Sequence, residues 1–150
     1  MEPRTYTTRR IGIVDALAKA LKKINGTGHY ATNLYNNVSP RLLFWDEVKD
    51  FPAVHLNPGQ ERREYQGGGY KDRFLSVMVR CYVEEEDAAT ALAYLLEDVE
   101  TVLEENSKLK YYDRTGQEQF THQISVISID TDEGVLEPLG VAEIQIEVRY

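Results

Sequence analysis

Residues 141–150 read Val-Ala-Glu-Ile-Gln-Ile-Glu-Val-Arg-Tyr, with Val141, Ile144, Ile146, Val148 and Tyr150 set against Glu143, Gln145, Glu147 and Arg149. Apolar and polar side chains alternating with period two predict a β-strand with one buried and one solvated face, so this stretch belongs in a sheet. Leu75, Val77, Val79, Cys81 and Val83 repeat the pattern within Arg73 to Val83, the expected central strand. Phe51 to Asn57 reads as a further strand closed by Pro58-Gly59, and Gln119 to Asp130 as another, followed by a turn through Thr131 to Gly134.

Two segments carry helical spacing instead. Ile11, Val14, Leu17, Leu21 and Ile24 predict an amphipathic helix over residues 8–24, with Lys19, Lys22 and Lys23 exposed and Asn25-Gly26 stopping it. Ala88, Leu92, Leu95, Leu96, Val99, Val102 and Leu103 form the buried stripe of a second helix; Asp87 suits its N-cap, and Glu97, Glu100 and Glu104 point away. A short extended piece is expected near His29 to Leu34, and Leu43, Phe44 and Trp45 are expected to anchor the following connection. The order of elements predicts one α+β domain over residues 1–150, a mostly antiparallel sheet with two amphipathic helices packed on one face.

Length and composition fit that reading. The chain has 150 residues, 42% hydrophobic and 28% charged, enough for a single core and unlike a disordered segment. No apolar run approaches the roughly 20 residues that span a bilayer, and no apolar stretch follows the charges of Met1 to Arg10, so a protein made and kept in the cytoplasm is expected. The single cysteine, Cys81, excludes an internal disulfide and reads as a core residue. A formal charge of -8 argues against a protein built to grip a nucleic-acid backbone. Locally the charge is polarised: six bases against two acids from Met1 to Ile24, and nine carboxylates without a base from Glu84 to Asn106.

Catalytic signatures are missing. His29, His55 and His122 lie in unrelated contexts, there is no GxSxG elbow, and Gly67-Gly68-Gly69 lacks the Lys-Ser/Thr of a phosphate loop. Asp130, Asp132 and Glu133 are the weak candidates for a cation site, and beyond them for a small metal-dependent enzyme. The positions where a calcium loop needs glycine and glutamate hold Val135 and Val141, which favours a plain polar turn. No cofactor is expected. Gln60 to Asp72 is more informative: tyrosines 65 and 70 bracket three glycines, and Arg62 and Arg63 precede them. Ordered glycines carry a large backbone-entropy cost, whereas tyrosine is enriched at protein contacts, so a mobile hairpin tip or extended contact arm is expected.

In order along the chain stand Arg10-Ile11, then Ile24-Asn25-Gly26-Thr27-Gly28-His29-Tyr30, then Trp45, Glu47 and Phe51-Pro52-Ala53-Val54. Tyr82-Val83 and Asp98-Val99-Glu100 follow, and the series closes on Asp130, Asp132, Gly134, Leu136, Pro138, Gly140-Val141 and Arg149-Tyr150. Over nearly the whole chain this series resembles the tail terminator, or tail completion, proteins of long-tailed bacteriophages. The resemblance implies a non-enzymatic virion protein, assembled in the host cytoplasm and located at the tail–neck junction. It would form a homo-oligomeric ring, a hexamer, that caps the tail tube, stops its polymerisation and meets the head connector, while DNA passes through without specific binding. A head-completion or connector adaptor of the phage neck is the alternative. On this reading Arg62, Arg63, Tyr65 and Tyr70 are the expected arm anchors, and Lys22 and Lys23 are expected to meet Glu100 and Glu104 of a neighbouring subunit.

Overall fold

The computed structural model describes residues 9–41 and 47–150. Its elements are α1 (Arg10–Leu21), β1 (Val38–Ser39), β2 (Ala53–Tyr65), β3 (Lys71–Glu84), α2 (Ala88–Glu105), β4 (Lys110–Tyr112), β5 (Glu118–Phe120), β6 (Gln123–Thr131) and β7 (Leu139–Arg149). Five strands form one sheet in the order β1-β2-β3-β7-β6, antiparallel except for the short β1–β2 pairing, and β4–β5 is a separate hairpin. Both helices lie on one face, giving the expected α+β architecture.

The two alternating strands do pair side by side: Val77 faces Ile146, Val79 faces Ile144 and Cys81 faces Ala142. These side chains point to the helices and are buried with Ile13, Leu17, Leu21, Leu92, Leu95 and Val99. Each such aliphatic burial contributes roughly 1.5–3 kcal/mol, which makes this shared face the main stabilising term. Val141, grouped with the apolar set in the terminal segment, falls on the other face beside Tyr82, and Ala142 takes the inward place. Cys81 is fully buried, and desolvation pushes its thiol up to about 12, out of the range of ordinary thiol chemistry.

Several boundaries differ from expectation. The first helix stops at Leu21, with Lys22 as its C-cap, although Ile24 is still buried beyond it. His29 to Leu34 forms no strand; Asn33 makes one isolated bridge to Asn25, and the paired extended residues are Val38 and Ser39. Pro58-Gly59 does not close a strand. β2 runs through it to Tyr65, because the register shifts between Pro58 and Glu61 and the missing proline N–H falls on an edge strand. Residues 119–130 divide between β5 and β6, which belong to different sheets. The anchors Leu43, Phe44 and Trp45 lie outside the described residues.

The connection after α1 is held through α2. Asp98 is buried, and its carboxylate accepts from the backbone N–H of Ala31 (3.2 Å) and Thr32 (2.7 Å) and from the Thr32 hydroxyl. Its place three residues after Leu95 and four before Val102 lies on the buried stripe, where its charge alone would not put it. Asp87 caps α2 as expected, accepting from Thr90 N–H at 3.3 Å. At this same end of α2, Gly140 lets β7 approach: an added Cβ would stand 2.7 Å from Val83 Cγ2 and 3.3 Å from Ala88 Cβ.

Candidate functional site

The Gln60–Asp72 segment is a hairpin. Its flanks are paired strand as far as Tyr65 opposite Lys71, and only Gln66 to Tyr70 turns, closed by Gln66 N–H donating to Tyr70 C=O at 2.7 Å. Gly68 and Gly69 take positive φ in this turn, which is the conformational reason for glycine there. The pairing of β3 with β7 begins only at Phe74, so the hairpin extends past the terminal strand. Tyr65 and Tyr70 are 75% and 76% exposed at its tip. Arg62 and Arg63 are occupied within the chain. Arg62 pairs with Glu64, lies 4.1 Å from the Phe74 ring centroid and reaches Glu147 at 3.4 Å; Arg63 holds Glu61 at 2.7 Å, which raises its guanidinium pKa. The structure thus brings all four predicted anchors onto one hairpin, with the tyrosines bare and the arginines bracing them.

Lys22 and Lys23 are exposed at the end of α1, and Glu104 and half-buried Glu100 lie on α2. Lys23 Nζ is 3.4 Å from Asn106 Oδ1, so within one chain the lysine end of α1 already lies against the C-terminal end of α2. Beside it a groove of about 480 Å³ runs between α1 and β4, lined by Gly12, Ala16, Ala20, Leu109 and Tyr112, with Lys19, Lys23 and Lys110 and one carboxylate, Asp15, along it. Gly12 is required there: an added Cβ would stand 2.2 Å from the Tyr112 carbonyl oxygen. Among the described residues none of these lysines joins an ion pair.

At the other end of the sheet the β6–β7 turn, the end of β3 and the start of α2 meet, with Glu85 N–H donating to Pro138 C=O at 2.9 Å. Glu84, Glu85, Glu86, Asp87, Asp130, Asp132, Glu133 and Glu137 lie along this end, and none joins an ion pair among the described residues; Asp130 and Asp132 share a hollow with Arg80, which is paired with Glu143 at 2.9 Å. Asp132 Oδ1 accepts from Gly134 N–H, and Thr131 Oγ1 from Glu133 N–H, each at 3.3 Å, as in an ordinary polar turn. Among the described residues no group of three or more His, Cys, Asp or Glu is placed to hold a metal ion. Within the acidic corner Val135 is 82% exposed and Leu136 42%. Farther along β6, beyond the polar run Asp130 to Gly134, Val126, Ile127 and Ile129 are also exposed, and among the described residues no strand pairs the outer edge. Sequence reading missed this strip; its signal is the uncharged run Ile124 to Ile129, which betrays an edge only when the strand order is known.

Among the described residues no helix is long and apolar enough to cross a membrane. Comparison with known proteins gives a concordant result. The family model described as bacteriophage tail tube terminator protein matches residues 7–150. The tail tube terminator protein p142 of Escherichia phage T5 is 32% identical over 149 residues, covering 94% of this chain and 92% of that protein. In fold, the chain is similar to one from the virion of a native gene transfer agent particle, with a TM-score of 0.60 at 10% identity over 96% of this chain and 98% of that one.

Proposed function

The chain belongs to the bacteriophage tail tube terminator protein family, a structural tail component, and from that premise we propose that it closes the finished tail tube as a six-membered ring. The ring ends tube polymerisation and offers its opposite surface to the head connector at the tail–neck junction. The observation that carries this reading is the family match across nearly the whole chain, joined to a molecule whose unspent features are contact surfaces. A ring needs two different patches on each subunit, and the acidic corner and the lysine groove are two such patches. The net charge of -8 suits a channel through which DNA slides without adhering.

In this reading the β2–β3 hairpin is the arm that meets the tube. Tyr65 and Tyr70 supply rigid contact area, while Arg62 and Arg63 hold the strands that present them. Lys22, Lys23, Glu100 and Glu104 are rim charges of the assembled ring. Reversing Lys22 and Lys23 to Glu weakens assembly, and adding Glu100→Lys and Glu104→Lys restores part of it.

The test is imaging of purified tail-tube protein polymerised with and without this chain. Shortened tubes with a ring at one end are expected. Deleting Gly67 to Gly69, or replacing Tyr65 and Tyr70 by alanine, is expected to abolish shortening while the melting temperature stays unchanged. Tubes of unaltered length, with the chain instead bound to isolated connectors, would replace this reading by the head-completion adaptor.

A further inference from the structure

Resting on the ring reading, we infer that the subunit contact is a knob in a groove: the β6–β7 turn of one copy seats between α1 and β4 of the next. The knob is Val135, 82% exposed, with Leu136, 42% exposed, beside it. Near them stand Asp130, Asp132, Glu133 and Glu137, none in an ion pair among the described residues; Arg80, which lines the same hollow as Asp130, Asp132 and Leu136, is held by Glu143 at 2.9 Å. The groove is its complement in both respects. Its floor is small and apolar at Ala16 and Ala20, and its flanks carry Lys19, Lys23 and Lys110 against the single carboxylate of Asp15.

An apolar centre ringed by paired charges is the usual anatomy of a specific protein contact, and the charges here fix which patch meets which. Like patches repel, so corner cannot meet corner and groove cannot meet groove. That leaves a head-to-tail contact, which is the kind that closes a ring. The same physics names the occupant as a second copy of this chain, since the chain carries both halves. The exposed β6 residues Val126, Ile127 and Ile129, on the same strand that leads into the turn, lengthen the contact along the sheet edge.

A mixing experiment tests this. Asp130→Lys with Glu133→Lys and Glu137→Lys turns the charge around the knob positive; Lys19→Glu with Lys110→Glu turns that of the groove negative. All five side chains are exposed, so both variants are expected to melt as the unaltered chain does. Each alone is expected to need about tenfold more protein, or worse, to cap tubes, and an equimolar mixture to cap within about twofold of the unaltered chain. Undiminished capping by either variant, or a mixture no better than its parts, would overturn the contact while leaving the terminator reading intact.

A second arm needs no tube and so survives failure of that reading. Val135→Cys with Ala16→Cys, oxidised in concentrated solution, is expected to give a ladder of linked copies, since Cys81 is buried and inert. Linkage no greater than that of a control pair, Tyr70→Cys with Ala16→Cys, would equally overturn the contact.

Discussion

The two outer edges of the sheet are treated in opposite ways. The edge formed by β2 is interrupted at Pro58, shifts register before Glu61, carries the charged run Glu61-Arg62-Arg63-Glu64 and is partly covered by β1 at Val54 and His55. Those are the devices by which an edge strand avoids pairing with another chain. The edge formed by β6 has no proline and no charge from Gln123 to Ile129; its one irregularity is the register shift that leaves Ile127 unmatched and 59% exposed. One sheet therefore has one closed edge and one open edge, and an open apolar edge in a folded chain calls for a partner.

The sharpest contrast is between neighbouring strands. Ile144 of β7 is fully buried, whereas Ile127 of β6 is largely bare. Ile144→Ala is expected to cost about 3 kcal/mol and lower the melting temperature by about 10 °C. Ile127→Ser is expected to stay within about 0.5 kcal/mol in the same melt yet reduce tube capping. Equal losses of stability would show that the β6 edge is core, and the comparison would fail.

Gly12→Ala comes next. The added methyl meets the Tyr112 carbonyl, so either α1 or β4 must shift. A loss of about 1–3 kcal/mol in urea unfolding is expected, together with a narrowed groove and weaker capping. The closed edge is tested by opening it. Pro58→Val with Glu64→Thr is expected to change stability by less than about 1 kcal/mol while bringing on concentration-dependent aggregation, read by light scattering. Continued solubility would mean that proline and charge are not what closes that edge.

The smallest effect is at the β4–β5 turn beside the groove. The Asp113 carboxylate accepts from the Thr115 hydroxyl and also from the Gln119 amide and the N–H groups of Thr115 and Gln117. These bonds, the Thr115 hydroxyl foremost, lower its pKa from 3.8 to about 2. Because the folded value is depressed, its stabilisation is complete above pH 3.8 and fades as pH falls through about 2. A carboxyl NMR titration of Asp113 with its midpoint near 4 would contradict that geometry.

The fold was legible wherever periodicity was strong. β3, β7 and both helices follow from spacing alone, because each buries one face. Pro58-Gly59 misled because a proline on an edge strand and a proline ending a strand have the same local sequence; only the partner strand distinguishes them. Asp98 was invisible for a related reason. Its position on the helix predicts burial, its chemistry predicts exposure, and the backbone N–H groups of Ala31 and Thr32 that reconcile the two are far away in sequence. Of the proposed contact surfaces, the tyrosine hairpin was readable from its glycines. The lysine groove was half readable, since Lys19 and Lys23 were visible as an exposed helix face, whereas Lys110 joins them only through the packing of β4 on Gly12.

The difference between the edges is most directly tested by backbone hydrogen exchange on the chain free in solution and bound at tube ends. Amides from Ser125 to Leu136 are expected to gain protection on assembly, while Leu56, Asn57 and Gly59, below the hairpin arm, exchange at the same rate in both states. Protection appearing at Leu56, Asn57 and Gly59, with Ser125 to Leu136 unchanged, would contradict the account by making the closed edge the one that assembles.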